Sequence, residues 1–318
     1  MLSDFSRDTK TFALSLGYSN TDSGTSTYQS YSLGARYRAL DWLQLTANVP
    51  YTDIDGRDVV WDQPAPGVDR RNVFEYSNAG LGDVIVMGWV DCLYPFCDEK
   101  PPKEEDDIDL TIEGTGDPLV YFGVGLKLET GDDDEFDRTK YNFDRSKAVT
   151  GELSETDGIL PSRLQLGTGT TDILLGMIYQ QRFGRFTPSL GLSVQMGGGE
   201  NSVGYERSDR VSWAAGGKYI IWQPDCDRQF YASAGLSGTT MTSRDIDHSE
   251  DTTLLGSQER GRVRGTRGTY NFYNLGLGYD INEDITISGS YVLPINDPDE
   301  DSEYSFDSSY SVSLQFRF

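Results

Sequence analysis

The sequence predicts an all-β fold: a closed antiparallel transmembrane β-barrel of about 12 strands, with residues 1–318 forming one domain. Three observations carry this expectation. Segments of about ten residues in which apolar and polar side chains alternate recur along the whole chain, and period two marks a strand with one face in an apolar medium and the other wet. The last ten residues show it most strictly. Tyr310, Val312, Leu314, Phe316 and Phe318 alternate with Ser309, Ser311, Ser313, Gln315 and Arg317. A chain ending on an aromatic strand must pair that edge, and closing onto the first strand is the simplest solution. Finally, hydrophobic content is 36 % and mean hydropathy is -0.50. No stretch approaches the roughly 20 apolar residues of a spanning helix, whereas a barrel strand needs only about 9–11 alternating ones.

The strands follow in order. The first, about 9–19, sets Phe12, Leu14, Leu16 and Tyr18 against Thr11, Ala13, Ser15 and Gly17. The second, about 27–39, places Tyr31, Leu33, Ala35 and Tyr37 opposite Ser30, Ser32, Gly34 and Arg36. The third, about 42–52, has Leu43, Leu45, Ala47, Val49 and Tyr51 on its apolar face. The fourth, about 79–91, has Val84, Val86 and Val90 opposite Asp83 and Met87. The fifth, about 118–130, alternates Val120 to Leu128 with Tyr121, Gly123, Gly125 and Lys127. The sixth, about 169–182, sets Ile173, Leu175, Met177 and Tyr179 against Asp172, Gly176 and Gln180. Five more are expected at about 185–196, 209–222, 228–240, 268–280 and 284–294, before the terminal strand.

Connection lengths support the same architecture. Those after the second, sixth, eighth and tenth strands are short, and those after the third, fifth, seventh, ninth and eleventh are longer, polar and acidic. Bacterial barrels alternate short periplasmic turns with long outer loops, and an even strand number puts both termini on the periplasmic side. Tyr18, Tyr37, Tyr51, Tyr179, Trp222, Tyr279 and Tyr291 fall near strand ends, where interfacial girdles sit. One connection departs from the pattern: 92–117 is long and acidic, yet lies on the expected periplasmic side. Cys92 and Cys97 lie within it and could form a small loop disulfide in an oxidising compartment; inert free thiols are the alternative.

Composition excludes several functions. A net charge of -24 argues against nucleic-acid binding, since phosphate backbones demand Lys and Arg. Three Cys and one His leave little for zinc or haem, and no C-x-x-C-H is present. No cofactor is expected. His248, between Asp247 and Ser249, invites comparison with a hydrolytic triad, but adjacent loop residues rarely hold triad geometry, so an enzyme is disfavoured. The acidic runs 132–137 and 297–301 lack an EF-hand frame and read as solvated loops, so no metal site is expected. Gly197-Gly-Gly-Glu-Asn lacks the Lys-Ser/Thr of a phosphate cradle. No signal peptide opens the sequence; for an exported barrel the expectation is a mature chain.

The terminal strand resembles the last strand of bacterial outer-membrane barrel proteins, where a final Phe is read by the insertion machinery. Leu45-Thr-Ala-Asn-Val-Pro-Tyr51, Gly80-Leu-Gly-Asp83, Gly125-Leu-Lys-Leu-Glu-Thr-Gly-Asp132 and Gly167-Thr-Gly-Thr-Thr-Asp-Ile-Leu-Leu-Gly176 resemble a family of outer-membrane proteins associated with meta-pathway phenol degradation. That resemblance implies an outer-membrane barrel passing small, often hydrophobic or aromatic, compounds; the 92–117 insert departs from it. The expected surroundings are lipid and lipopolysaccharide.

The inward face is rich in Ser, Thr, Gly, Gln and Asn, which suits a wet interior, and twelve strands suggest a narrow channel. Diffusion of small solutes is the leading function. The alternative is a structural barrel that docks a periplasmic partner through 92–117. Asp83, Lys127, Glu129 and Asp172 share the inward face of three consecutive strands and are expected to meet near the outer rim as a charged constriction. Arg36, Arg38, Lys218 and Arg317 fall instead towards the periplasmic end.

Overall fold

The computed structural model describes residues 11–23, 26–65, 68–93, 116–132, 165–201, 205–224, 228–243, 246–247, 268–296 and 307–318. The strands are β1 (Phe12–Ser23), β2 (Ser26–Leu40), β3 (Leu43–Ala65), β4 (Val68–Leu81), β5 (Val84–Asp91), β6 (Leu119–Leu128), β7 (Asp172–Gln180) and β8 (Phe186–Met196). They continue with the two-residue β9 (Tyr205–Glu206), β10 (Arg210–Trp222), β11 (Gln229–Met241), the two-residue β12 (Ile246–Asp247), β13 (Gly268–Asp280), β14 (Ile285–Asn296) and β15 (Ser308–Arg317). All neighbours in the main sheet are antiparallel, in the order β2-β1-β15-β14-β13-β11-β10-β8-β7-β6-β5-β3-β4, and the pairing of β2 with β3 closes the ring. Counting β4 and β5 as one interrupted wall strand, the barrel has the expected twelve.

Closure runs through the chain ends. β1 pairs with β15 from Ala13↔Arg317 to Asp22↔Ser308. The Phe12 and Phe318 amides donate to each other's carbonyls at 3.3 and 2.8 Å, so the terminal edge is occupied by backbone hydrogen bonds.

The faces are inverted relative to a soluble protein. Leu16, Leu33, Phe122, Val124, Leu190, Leu275 and Leu277 point outward and are exposed, Val124 at 63 %. Gln44, Asp91, Lys127, Asp172 and Asp280 are buried, Asp172 at 1 %. A contiguous apolar exterior around polar buried groups is unfavourable in water and fits a lipid surround. Two aromatic belts edge the apolar band. Tyr51, Tyr31, Tyr18 and Tyr310 lie ring to ring across four strands at 6.5, 5.2 and 6.1 Å. Towards the other end lie Phe12 and Phe318, with Tyr37, Trp42, Phe183, Phe186, Tyr219 and Trp222 also exposed. From Phe12 to Tyr18 the strand advances roughly 20 Å.

Short connections at Leu40–Leu43, Gln180–Phe186 and Asp280–Ile285 lie at the same end as Phe12 and Phe318; this is the turn end, and the opposite one is the loop end. Two features differ from expectation. Residues 53–77, expected as an outer loop, largely extend the wall instead: β3 continues to Ala65 and pairs with β4 from Tyr51↔Leu81 to Ala65↔Val68. The fourth wall strand is also bulged. Tyr51 faces Leu81, but Asn48 faces Ile85, so the register slips by one residue at Gly82-Asp83. A bulge re-aims side chains, and here it turns Asp83 inward.

Candidate functional site

At the loop end Lys127 lies one residue before the end of β6, and its register partner on β7 is Asp172. On the other side, β6 pairs with β5, which begins just after Asp83. The Lys127 Nζ lies 3.4 Å from Asp83 Oδ2 and 2.5 Å from Asp172 Oδ2, and donates to Thr168 Oγ1. Three acceptors thus meet the three protons of the ammonium.

Both carboxylates are saturated in turn. Asp83 accepts from the amides of Gly131 at 3.1 Å and Thr168 at 2.9 Å, and from the Thr168 hydroxyl at 2.7 Å. Asp172 accepts from Thr170 Oγ1 at 2.8 Å, Gln195 Nε2 at 2.6 Å and the Gly198 amide at 3.1 Å. The donors come from both ends of the β6–β7 connection, from β8 and from the residues just after it. That connection is cinched at its base: the Gly167 amide donates to Asp132 O at 2.8 Å, and a Cβ on Gly167 would stand 2.3 Å from Gly131 O. Gly169 takes a left-handed φ of 64°, which glycine adopts without steric cost.

Leu166 lies over Gly80, and Gly82 sits between Pro50 and the Leu166 carbonyl. The four sequence motifs carrying the meta-pathway resemblance therefore converge here: one supplies Pro50, and the others supply Gly80 to Asp83, Lys127 to Asp132, and Gly167 to Asp172.

Of the four residues expected to form a constriction, Asp83, Lys127 and Asp172 come together and Glu129 does not. β6 ends at Leu128, so alternation no longer fixes the next side chain, and Glu129 is exposed. The trio is also drier than expected. The Lys127 and Asp83 side chains are each 7 % exposed, because the segment Gln165–Thr171 covers them. The arrangement is a lock that fastens a loop segment over these wall residues.

Below the lock, one wall is filled. Trp89 on β5 lies over Gly123 and Gly176 on the next two strands, where a Cβ would meet its ring at 2.5 and 2.7 Å. Tyr121 and Ile178 complete a small buried cluster, with Met87 and Leu119 against it. Its polar edges are partly satisfied: Trp89 Nε1 donates to Thr46 Oγ1 at 3.2 Å and Gln44 Nε2 to the Tyr121 hydroxyl at 3.2 Å, while Gln44 Oε1 is buried without a partner. The sequence placed Tyr121 and Met87 on this inward face but did not anticipate that they would join Trp89 and Ile178 in a packed cluster; the signal was large side chains on the polar side of the alternation.

The remaining wall carries mostly small side chains, with Ile220, Tyr231 and Tyr270 as its larger inward groups. Thr52, Ser30, Ser19, Ser311, Ser290, Gly276, Ser233, Lys218 and Thr187 are successive register partners from β3 round to β8. Ser290 and Ser311 hydrogen bond at 2.7 Å, and above the row Ser212 bonds Thr239 at 2.9 Å. Lys218 sits 4.8 Å from the Tyr231 ring centroid, and Tyr231 lies over Gly278. Arg36 and Arg317 flank Ala13 in one register row, with Arg38 two residues further along β2.

Cys97, the partner expected for Cys92, lies outside the described residues, as do Cys226, His248, 94–115 and most of both acidic runs. The Cys92 Sγ is 3.6 Å from the Val90 carbonyl. Among the described residues no cluster of three His, Cys, Asp or Glu side chains could hold a metal ion.

No protein-family model matches the sequence, and comparison with curated proteins finds no match. Solved structures with the same architecture include the NanC porin (TM-score 0.45, 9% identity, 96% of this chain and 100% of that one). The beta domain of the Bordetella autotransporter BrkA gives 0.44 at 10% identity, covering 97% and 100%. A Pseudomonas aeruginosa FadL homologue gives 0.42 at 11% identity, covering 98% and 91%. At these values the likeness is one of barrel architecture and carries nothing about function.

Proposed function

We propose that this chain is an outer-membrane channel through which small solutes diffuse, with its turn end towards the periplasm. One observation carries the reading: among the described residues the interior packs into a buried cluster along one wall, around Trp89, Tyr121 and Ile178, whereas the other wall sets Ile220, Tyr231 and Tyr270 among mostly small polar groups. From β8 round to β3 the inward residues are mostly Ser, Thr, Gly and Asn, and Ser193 and Ser233 remain exposed within the barrel. A barrel serving only as a rigid sheath would gain stability by packing that wall as it packs the wall around Trp89. Hydroxyls and backbone instead leave a strip that water can wet. The lock at Lys127 narrows the mouth on the opposite side, so the path is off-centre and slender. The phenol-pathway resemblance favours small aromatic compounds among the solutes.

Purified full-length protein in a planar bilayer tests the reading. Discrete conductance steps are expected, together with flux of small solutes into proteoliposomes. A heat-modifiable, folded barrel that gave neither would overturn the channel and leave the docking barrel.

A further inference from the structure

We propose that the turn end of the lumen selects small organic anions, with Lys218, Arg36 and Arg317 as the residues that recognise them. The inference rests on the channel reading and names its solute class. It runs against the chain's net charge of -24, which would suggest a preference for cations.

The argument is one of placement. Lys218 stands four residues before the end of β10, Arg36 four before the end of β2, and Arg317 at the last residue of β15. With Arg38 they lie towards the same end of their strands, Lys218 four strands round the sheet from Arg317, and all four side chains are half-buried. The carboxylates of Asp91 and Asp280 face inward at this level and are buried, at 1 and 6 %. Asp91 accepts from the Leu93 amide at 3.0 Å. Asp280 accepts from Thr286 Oγ1 at 2.5 Å and from Gln229 Nε2. These two carboxylates are thus sunk into the wall, while the four cations keep part of their surface exposed. A passage with low-dielectric walls focuses such a field.

The geometry also suits recognition beyond simple attraction. Thr286 Oγ1 accepts from Arg317 Nη2 at 3.0 Å, and Glu283 O accepts from Nη1 at 3.1 Å, so the guanidinium is held in one orientation. Arg36 and Arg317 are separated by one strand, with backbones roughly 10 Å apart. A planar guanidinium matches a carboxylate with two parallel hydrogen bonds. Lys218, over the Tyr231 ring and next to Ser233 and Thr187 in register, sets an ammonium beside two hydroxyl-bearing strands.

The test is the reversal potential of the reconstituted full-length channel in a potassium chloride gradient, for wild type and for a Lys218→Gln, Arg36→Gln, Arg317→Gln variant checked for a heat-modifiable fold. Wild type should reverse on the chloride side, and the variant should shift towards zero or the potassium side, most at low salt. Benzoate should reduce chloride current in wild type, and less so in Lys218→Gln; neutral benzyl alcohol should not. Lys218→Arg, which keeps the charge, should retain chloride preference if the triple variant fails to fold. A conducting wild type that prefers potassium, or a variant with unchanged selectivity, overturns this proposal alone. A wild type with no conductance overturns it together with the channel reading.

Discussion

The two walls of this barrel share one outward pattern and differ inward. From β5 to β7 the inward face carries Trp89, Tyr121, Ile178 and the Asp83–Lys127–Asp172 lock, nearly all buried. From β8 round to β2 it carries mainly hydroxyls, glycines and half-buried cations, with Ile220, Tyr231 and Tyr270 as its larger inward groups. Outside, both walls present the same exposed Leu, Val, Ile and aromatic residues. Lipid imposes one requirement on every strand, so the outward pattern is uniform. The interior imposes none of its own: each wall is free to be packed or left wet. The packed wall supplies rigidity, and the wet wall supplies the path.

The sharpest way to break that contrast is to empty the lock. In Lys127→Met, Asp83 and Asp172 would stay buried around a site without its cation. Removing one partner of a buried ion pair costs about 3–5 kcal/mol. The unboiled gel band should convert at lower temperature, and hydrogen exchange should quicken in peptides covering 165–171. Lys218→Gln on the wet wall should change neither. Conductance should also rise as the mouth opens. Equal thermal loss in the two variants would mean that Lys127 is no more deeply committed than Lys218.

A second contrast uses glycines. In Gly123→Ala the new Cβ meets the Trp89 ring at 2.5 Å, while in Gly276→Ala it meets the Ser233 hydroxyl at the same distance. A serine can rotate away, whereas an indole pinned between two strands cannot. Overpacking a filled site costs about 1–3 kcal/mol, so Gly123→Ala should lower the gel-shift temperature clearly and Gly276→Ala only marginally. Similar losses at both would show that the Ser/Gly wall is packed as tightly as the other.

How much of this was legible in the sequence follows from what lipid imposes. Every wall strand was found because each must alternate where it crosses the apolar band. Residues 53–65 and 68–77 were expected as loop because, beyond the band, neither face meets lipid and the alternation stops; Asp53-Ile-Asp-Gly-Arg-Asp58 shows no period. Their pairing is set by backbone hydrogen bonds, to which sequence is nearly blind. Asp83, Lys127 and Asp172 were legible as inward charges on consecutive strands. Their burial was not, because the covering segment Gln165–Thr171 belongs to a long connection without periodicity. Glu129 was misplaced by extending alternation one residue pair too far.

A third experiment addresses the wet wall directly. Ser311→Trp puts a large ring into the hydroxyl row between Ser19 and Ser290. If the path runs along this wall, single-channel conductance should fall by more than half with little change in gel-shift temperature. Trp89→Phe, on the filled wall, should leave conductance close to wild type. Unchanged conductance in Ser311→Trp would move the path elsewhere.

The smallest effect is expected where the wet wall bonds to itself. Ser290 and Ser311 share a hydrogen bond at 2.7 Å across β14 and β15, next to the closing seam. In a wet lumen, water replaces whichever hydroxyl is lost, so removing one partner should cost only the net value of the bond, about 0.5–1.5 kcal/mol. Were the wall dry, the surviving hydroxyl would be stranded, and the cost would approach the desolvation penalty of about 1–3 kcal/mol. The double variant separates the cases. With water present, Ser290→Ala combined with Ser311→Ala should cost little more than either alone. In a dry wall the double variant should recover stability relative to the singles, because no unpaired hydroxyl remains. Chemical unfolding of the four proteins in one detergent reads this directly. Recovery in the double variant would place Ser290 and Ser311 with the Trp89 cluster rather than beside a solute path.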